Sequence, residues 1–281
     1  MPRLTRRLTI FCIGLALTGA IGLVSGPTPA AEVAPTRIAD LTYDVYVGGL
    51  HVYAFDVEMT LAPESYRVTA SGETRGMVSL VSTWTVHLAA EGLDRNGRVT
   101  PQRYVAETQW QSRQRKLQLG FRADGGYDLQ QDPPPEPDPD IEGELPEKLP
   151  EGIVDPLSFA IAASRSLAET GRCAQTVPVF DGQRRSNVIV KQVGETVLPP
   201  NNYSIYQGPA MRCSLGVERI SGFRKSLRLK QEAKGPAAPP ILWMATMQKD
   251  LPPIPVRYEG EIALGKIVIH LTAAAFRSVP D

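Results

Sequence analysis

The sequence predicts a mainly β protein: a curved antiparallel sheet, or incomplete β-barrel, of about twelve strands packed on one central α-helix at about residues 155–170. Three observations lead there. Apolar and polar residues alternate through most of the chain, the period of half-buried strands. Turn residues punctuate that alternation at short intervals. One stretch alone, DPLSFAIAASRSLAETG, carries a dependable helical period.

That helix is justified residue by residue. Asp155 is placed to cap it, and Pro156 suits the first helical position, where its missing N–H costs nothing. Leu157, Ala160, Ile161, Ser164, Leu167 and Ala168 fall on one face at helical spacing. Gly171 is a natural stop. About 15 residues at ~1.5 Å each make a rod of roughly 22 Å, enough to cross a sheet or plug a curved one.

Before it, the chain reads as a meander. Leu41–Thr60 forms two strands around Gly48-Gly49, with His51, Tyr53, Phe55, Val57 and Met59 expected on one face. Tyr66–Ser71 returns after the turn at Ala62-Pro63-Glu64-Ser65. Thr74–Leu80 is ambiguous between a strand end and one turn of helix. Ser82–Ala90 places Trp84, Val86, Leu88 and Ala90 on one side. Pro101 opens a strand through Trp110, and Lys116–Arg122 follows a polar reverse at Gln111-Ser112. Residues 132–151 differ in kind: seven prolines, eight acidic residues and one lysine. That composition runs extended on a surface. A domain linker is one reading; an insertion within a single β-rich domain of residues 38–276 is preferred, because neither half shows an independently closed pattern.

After the helix, Val177–Phe180 is a strand turning at Asp181-Gly182. Ser186–Val193, Ser204–Tyr206, Met211–Ile220, Phe223–Lys230 and Ile241–Gln248 are expected strands, and Val256–Leu271 a hairpin around Leu264-Gly265-Lys266.

The N-terminus reads as a cleaved export signal of residues 1–30. Arg3, Arg6 and Arg7 precede an apolar run, Leu8–Val24, and Thr28-Pro29-Ala30 supplies small residues for cleavage. A retained anchor is the alternative; Gly14, Gly19 and Gly22 argue for removal. No later segment approaches the ~20 apolar residues of a membrane span. Losing three arginines from a chain of 30 basic and 30 acidic residues leaves a net charge of −3, which is no nucleic-acid footprint. Cys12 leaves with the signal, and the remaining Cys173 and Cys213 are expected to form one disulfide in an oxidising compartment. Localisation in the periplasm is the expectation.

Three pieces, Tyr43-Asp44-Val45-Tyr46-Val47-Gly48-Gly49-Leu50, then Val179-Phe180-Asp181-Gly182, then Arg257-Tyr258-Glu259-Gly260 with Leu264-Gly265-Lys266, lie in an order and spacing that resemble a domain-of-unknown-function family of exported proteobacterial proteins. The resemblance implies periplasmic β structure and no known catalytic residues. More distantly, the architecture is similar to the periplasmic lipoprotein carriers and the envelope-integrity β-spirals.

Catalytic motifs are sparse. The mature chain has no G-x-S-x-G elbow. His51, His87 and His270 stand in separate strands outside metal-ligand spacing. A Ser–His–Asp site assembled from distant strands stays open, since triads are defined by geometry. Asp181-Gly182, Tyr258 and Gly260 are explained by turns and close backbone approach. No catalytic residue, metal or cofactor is expected. The basic groups Arg113, Arg115 and Lys116, then Arg184-Arg185, and then Arg224, Lys225, Arg228 and Lys230, read as solvated strand faces or as a rim for phosphate or carboxylate groups.

The functional expectation is a non-enzymatic envelope protein that binds a lipid or other apolar ligand through Tyr53, Phe55, Trp84, Trp110 and Trp243. One alternative is a packed structural or protein-interaction module with no small ligand; the other is a hydrolase of envelope polymers.

Overall fold

Alternation along each strand decides which face meets the helix. The structure, a computed structural model, describes residues 35–234 and 238–279. The expected signal segment lies outside the described residues.

The strands are β1 (Thr36–Val47), β2 (Leu50–Leu61), β3 (Ser65–Thr74), β4 (Trp84–Arg95), β5 (Arg98–Trp110), β6 (Arg113–Phe121), β7 (Tyr127–Asp132), β8 (Ile141–Glu142), β9 (Gln175–Phe180), β10 (Arg185–Leu198), β11 (Gly208–Ser221), β12 (Phe223–Arg224), β13 (Ile241–Ala245), β14 (Ile254–Ile262) and β15 (Gly265–Val279). A 3-10 turn spans Gly76–Leu80, α1 spans Pro156–Thr170 and α2 spans Lys225–Lys234. Thirteen strands form one antiparallel sheet in the order β7-β6-β5-β4-β3-β2-β1-β15-β14-β13-β11-β10-β9, while β8 and β12 pair separately. The first and last strands of the chain's main run, β1 and β15, pair along their length in the middle of the sheet. The expected curved, incompletely closed sheet is therefore observed, with more strands than expected.

The inner face is the one that carries α1. Ala39, Leu41, Tyr43, Met59, Leu61, Tyr66, Val68, Val256 and Leu271 are buried there around Ile161 of the helix. Leu167, near the helix C-terminus, packs with Val190 and Met244 and with the Cys173–Cys213 disulfide. That bridge joins the exit of α1 to β11 across a Cα–Cα distance of 6.0 Å, as expected from the cysteine count.

The edges β7 and β9 meet without pairing. Phe180, fully buried, packs with Leu117, Leu119, Tyr104 and Ile153 and sits edge-on to Tyr127 at 5.1 Å. Asp181 Oδ1 accepts from the backbone N–H groups of Gln183 (2.8 Å) and Arg184 (2.6 Å), which fixes the turn. Gly182 has φ 85°, and a Cβ there would stand 2.9 Å from Leu117 Cδ1. The turn needs glycine for both reasons. The Phe-Asp-Gly motif is thus a clasp between the two ends of the sheet. Val154 covers the outer edge of β9 by pairing in parallel with Val179.

The acidic insertion is more structured than its composition suggests. Asp140 caps α2 by accepting from Ser226 N at 2.9 Å and Ser226 Oγ at 2.5 Å. Glu142 takes a two-pronged contact from Arg228 at 2.9 and 2.8 Å, and Asp138 pairs with Arg224 at 2.8 Å. The segment straps β7 to the β12–α2 corner. Two expectations are corrected here. Lys225–Lys230 is helix, not strand, because a cap from a distant carboxylate starts a helix that local alternation does not announce. Ser204–Tyr206 is not a strand; this loop docks on β15 through Ile205 N donating to Leu271 O at 3.0 Å.

Candidate functional site

The helix is anchored by a buried polar hub. Asp155 Oδ1 accepts from Leu157 N and Ser158 N, both at 2.9 Å, and Asp155 Oδ2 accepts from Ser158 Oγ. The Ser158 and Tyr66 hydroxyls are 2.6 Å apart. Burial pushes the Asp155 carboxyl above its ordinary value, against the opposing pull of its hydrogen bonds. Burial likewise raises the Tyr66 phenol. Near the end of β4, buried Asp94 accepts from Arg165 Nε at 2.6 Å. Ser158 therefore takes a place on the buried helix face that the expected face assigned to Ala160, which is exposed. A serine is tolerated there because its hydroxyl is fully engaged.

This anchoring fixes how much of the inner face α1 covers. Successive cross-strand rows on β2–β6 show where cover ends. Met59, Val68, Ala90, Tyr104 and Leu119 form a buried row. Two rows further along lie Phe55, Gly72, Val86, Thr108 and Arg115. The last row holds Tyr53, Thr74, Trp84, Trp110 and Arg113. Its indoles, paired across β4 and β5, are 46% and 52% exposed.

The open rows form an apolar half-groove. Tyr53 lies 5.4 Å from the Trp84 ring, and Phe55 stacks on Tyr43 at 4.9 Å. Gly72 lets the Tyr53 ring cross the strand, since a Cβ there would stand 2.6 Å from Tyr53 Cε1. Partial burial, reinforced by Glu73, pushes the Tyr53 phenol up to about 12. Trp110 Nε1 donates to Ser82 Oγ at 3.1 Å, so its polar edge is satisfied while its faces stay available. Met77, Leu80 and Val81, in and just after the 3-10 turn that packs on β2, are exposed apolar residues; Leu80 is 84% exposed. Exposed Arg113 and Arg115 close the far side. The groove can hold an apolar chain against aromatic faces and offer guanidinium groups to an anionic head.

Of the expected ligand-binding residues, Tyr53, Phe55, Trp84 and Trp110 come together here, and Trp243 does not. Its cross-strand neighbours are Arg212 and Arg257, on the face opposite Cys213 and Leu242. His51 also leaves the expected face. A register shift between Val45 and Tyr46 bulges Val52 out of the β1–β2 ladder, and His51 stacks on Tyr46 at 5.1 Å. Tyr258 and Gly260 lie on β14, where a Cβ on Gly260 would meet side chains, Tyr258 Oη at 3.1 Å and Pro240 Cβ at 3.2 Å, rather than backbone. The exposed apolar residues Met77, Leu80 and Val81 were not singled out from the sequence; four apolar side chains in the five residues 77–81 were the available signal.

Under α1, between the helix and β9–β13, a cavity of about 20 Å³ is lined by Phe159, Leu167, Gln175, Val190, Met244 and the disulfide. It has room for one water molecule and far too little for an acyl chain. On the outer face, Ser71 Oγ stands 2.9 Å from His87 Nδ1, and His87 is the cross-strand neighbour of Glu107, which pairs with Lys116 at 2.5 Å. This is a Ser–His contact on an exposed ladder. The backbone N–H groups of β3 and β4 around it are engaged in sheet pairing. Among the described residues no group of three or more His, Cys, Asp or Glu is placed to hold a metal ion, and no helix is long and apolar enough to cross a membrane.

Fold and groove together define a β protein built on one incompletely closed sheet plugged by a helix. The chain belongs to the DUF3108 family, proteins of unknown function, whose pattern matches residues 42–272. No curated protein matches it. Among solved structures it is similar to a β-barrel-like protein of the domain of unknown function DUF1849 from Brucella abortus, at 12% identity and a TM-score of 0.49, over 88% of this chain and 99% of that one.

Proposed function

We propose that this is a non-enzymatic, exported protein of the periplasm that serves the cell envelope by holding a lipid or other amphiphile in the half-groove of β2–β6. The observation that carries the reading is the uncovered row of Tyr53, Trp84 and Trp110, with Met77, Leu80 and Val81 exposed in and after the 3-10 turn beside β2. Exposed apolar surface of this kind, rimmed by cations, marks a binding surface rather than a solvated strand face. The disulfide supports an oxidising compartment.

Native mass spectrometry of the protein gently released from its producing cells, before and after solvent extraction, tests the reading. A stoichiometric extractable adduct of lipid mass supports it. A clean apo mass, together with no uptake of added lysophospholipid, overturns it.

The second reading is a packed interaction module that grips a protein segment. It is favoured by the cover of α1 over the buried half of the inner face and by the one-water size of the cavity beneath it. Recovery of a defined envelope protein without lipid distinguishes it.

A further inference from the structure

Buried polar atoms without partners are rare in native proteins, and a cluster of them asks for an explanation. Among the described residues, the buried side-chain nitrogens lacking a hydrogen-bond partner are His51 Nε2, Gln175 Nε2, Arg212 Nε, Arg257 Nε and His270 Nδ1. Three of them, on Arg212, Arg257 and His270, lie along one cross-strand row outside the groove.

Strand register makes that row. Arg212 on β11 lies opposite Trp243 on β13, Trp243 opposite Arg257 on β14, and Arg257 opposite His270 on β15. His270 in turn lies opposite Asp44 on β1. With about 4.8 Å between strands, the four residues from Arg212 to His270 span roughly 14 Å. The two guanidiniums flank one indole, with their central carbons 6.0 Å (Arg212) and 5.3 Å (Arg257) from its centroid, so cation–π attraction holds both in place. His270 is 7% exposed and lies under Tyr203, whose ring stacks on it at 5.7 Å.

Of the carboxylates nearby, Glu259 is already engaged through both oxygens. Glu259 accepts from Arg257 through one oxygen and pairs with Lys266 at 2.7 Å through the other. Asp44 Oδ1 stands 3.2 Å from His51 Nε2, close enough for an ion pair but not aligned as a hydrogen bond. The Arg212 and Arg257 Nε–H groups are therefore buried donors without an acceptor, and His270 Nδ1, which donates or accepts according to its tautomer, is unpartnered beside them. Each buried donor left unpaired costs about 1–3 kcal/mol, which an arriving acceptor returns. Guanidinium N–H groups fit planar or tetrahedral oxyanions, with geometry as well as charge.

We propose that the row Arg212–Trp243–Arg257–His270 is a binding site for an oxyanion, the carboxylate or phosphate of a ligand that lies across β11, β13, β14 and β15. The site stands apart from the groove and does not rest on the lipid reading.

Replacing Trp84 and Trp110 by phenylalanine leaves Trp243 as the sole tryptophan of the chain and a direct reporter. The full-length variant is titrated with inorganic phosphate, acetate and chloride at constant ionic strength. The expected result is a saturable change of Trp243 emission with phosphate or acetate and none with chloride, and the more effective anion identifies the source. Arg212→Gln and Arg257→Gln should each raise the midpoint at least about tenfold. Arg212→Lys and Arg257→Lys, which keep the charge and lose the fork, serve where a glutamine variant does not fold, and should also weaken binding. In the unmutated protein, nitrogen NMR of His270 should show a saturable shift at Nδ1 with the same anion. No saturable response beyond that of chloride, midpoints unmoved by the arginine variants, or an unshifted His270 resonance overturns the proposal.

Discussion

At the row of Met59, Val68, Ala90, Tyr104 and Leu119 the inner face is buried under α1; three rows along the same strands, at Tyr53, Thr74, Trp84, Trp110 and Arg113, it is open. The buried end is mostly aliphatic with one tyrosine, while the open end is aromatic and ends in an arginine, so large apolar side chains line both. What separates them is cover. The helix is pinned at its start by Asp155, Ser158 and Tyr66 and at its exit by the Cys173–Cys213 bridge. A rod of roughly 22 Å held at both ends cannot also reach the last rows. The buried half is a core and the open half is a surface, and substitutions should separate them.

Phe180→Ala, on the buried side, should have the largest effect, a loss of about 3–5 kcal/mol read from urea unfolding. It empties the clasp where β9 meets β6 and β7. Removing the bridge with Cys173→Ser and Cys213→Ser should cost about 2–4 kcal/mol by the same measurement. Asp155→Ala deletes the cap and leaves the Leu157 and Ser158 N–H groups without their acceptor, for about 2–3 kcal/mol. Trp110→Ala, on the open side, should change stability by only about 0.5 kcal/mol while abolishing amphiphile binding. A Trp110 variant as damaging as Phe180→Ala would erase the distinction between the halves.

A smaller effect belongs to pH. Burial, then the Arg257 charge, hold His270 below its ordinary value of 6.5, against the opposite pull of Glu259 and Asp44. The fold therefore favours neutral His270. Its contribution to stability is fully present above 6.5 and is lost as pH falls from there through the depressed native value. His270→Gln should flatten that part of the stability profile, measured as unfolding midpoints at about pH 7.5 and about pH 5.5.

What was legible in the sequence follows how local each cause is. The helix α1 announces itself because Asp155, Pro156 and Gly171 act within its own length. The turns at Gly48-Gly49 and Asp181-Gly182, and the pairing of two cysteines, are equally self-contained. By contrast, α2 begins where Asp140 caps Ser226, a partner far away in the chain, so alternation of Phe223, Leu227 and Leu229 with basic residues misleads. The face of His51 turns on one residue, Val52, bulged out of the β1–β2 ladder, since a shift of one position exchanges the sides of a strand. Tyr53, Phe55, Trp84 and Trp110 could be grouped from alternation within neighbouring strands. Trp243 could not be separated from them, because its face depends on pairing with β11 and β14.

The most direct test of the open groove uses Trp243→Phe, in which Trp84 and Trp110 alone report. The variant is titrated with lysophosphatidylcholine and with palmitate below their micelle concentrations. A saturable blue shift at one ligand per chain, lost when Trp110→Ala is added and with calorimetry agreeing, is the predicted result. A response that never saturates, or calorimetric binding that survives loss of both indoles, contradicts the account.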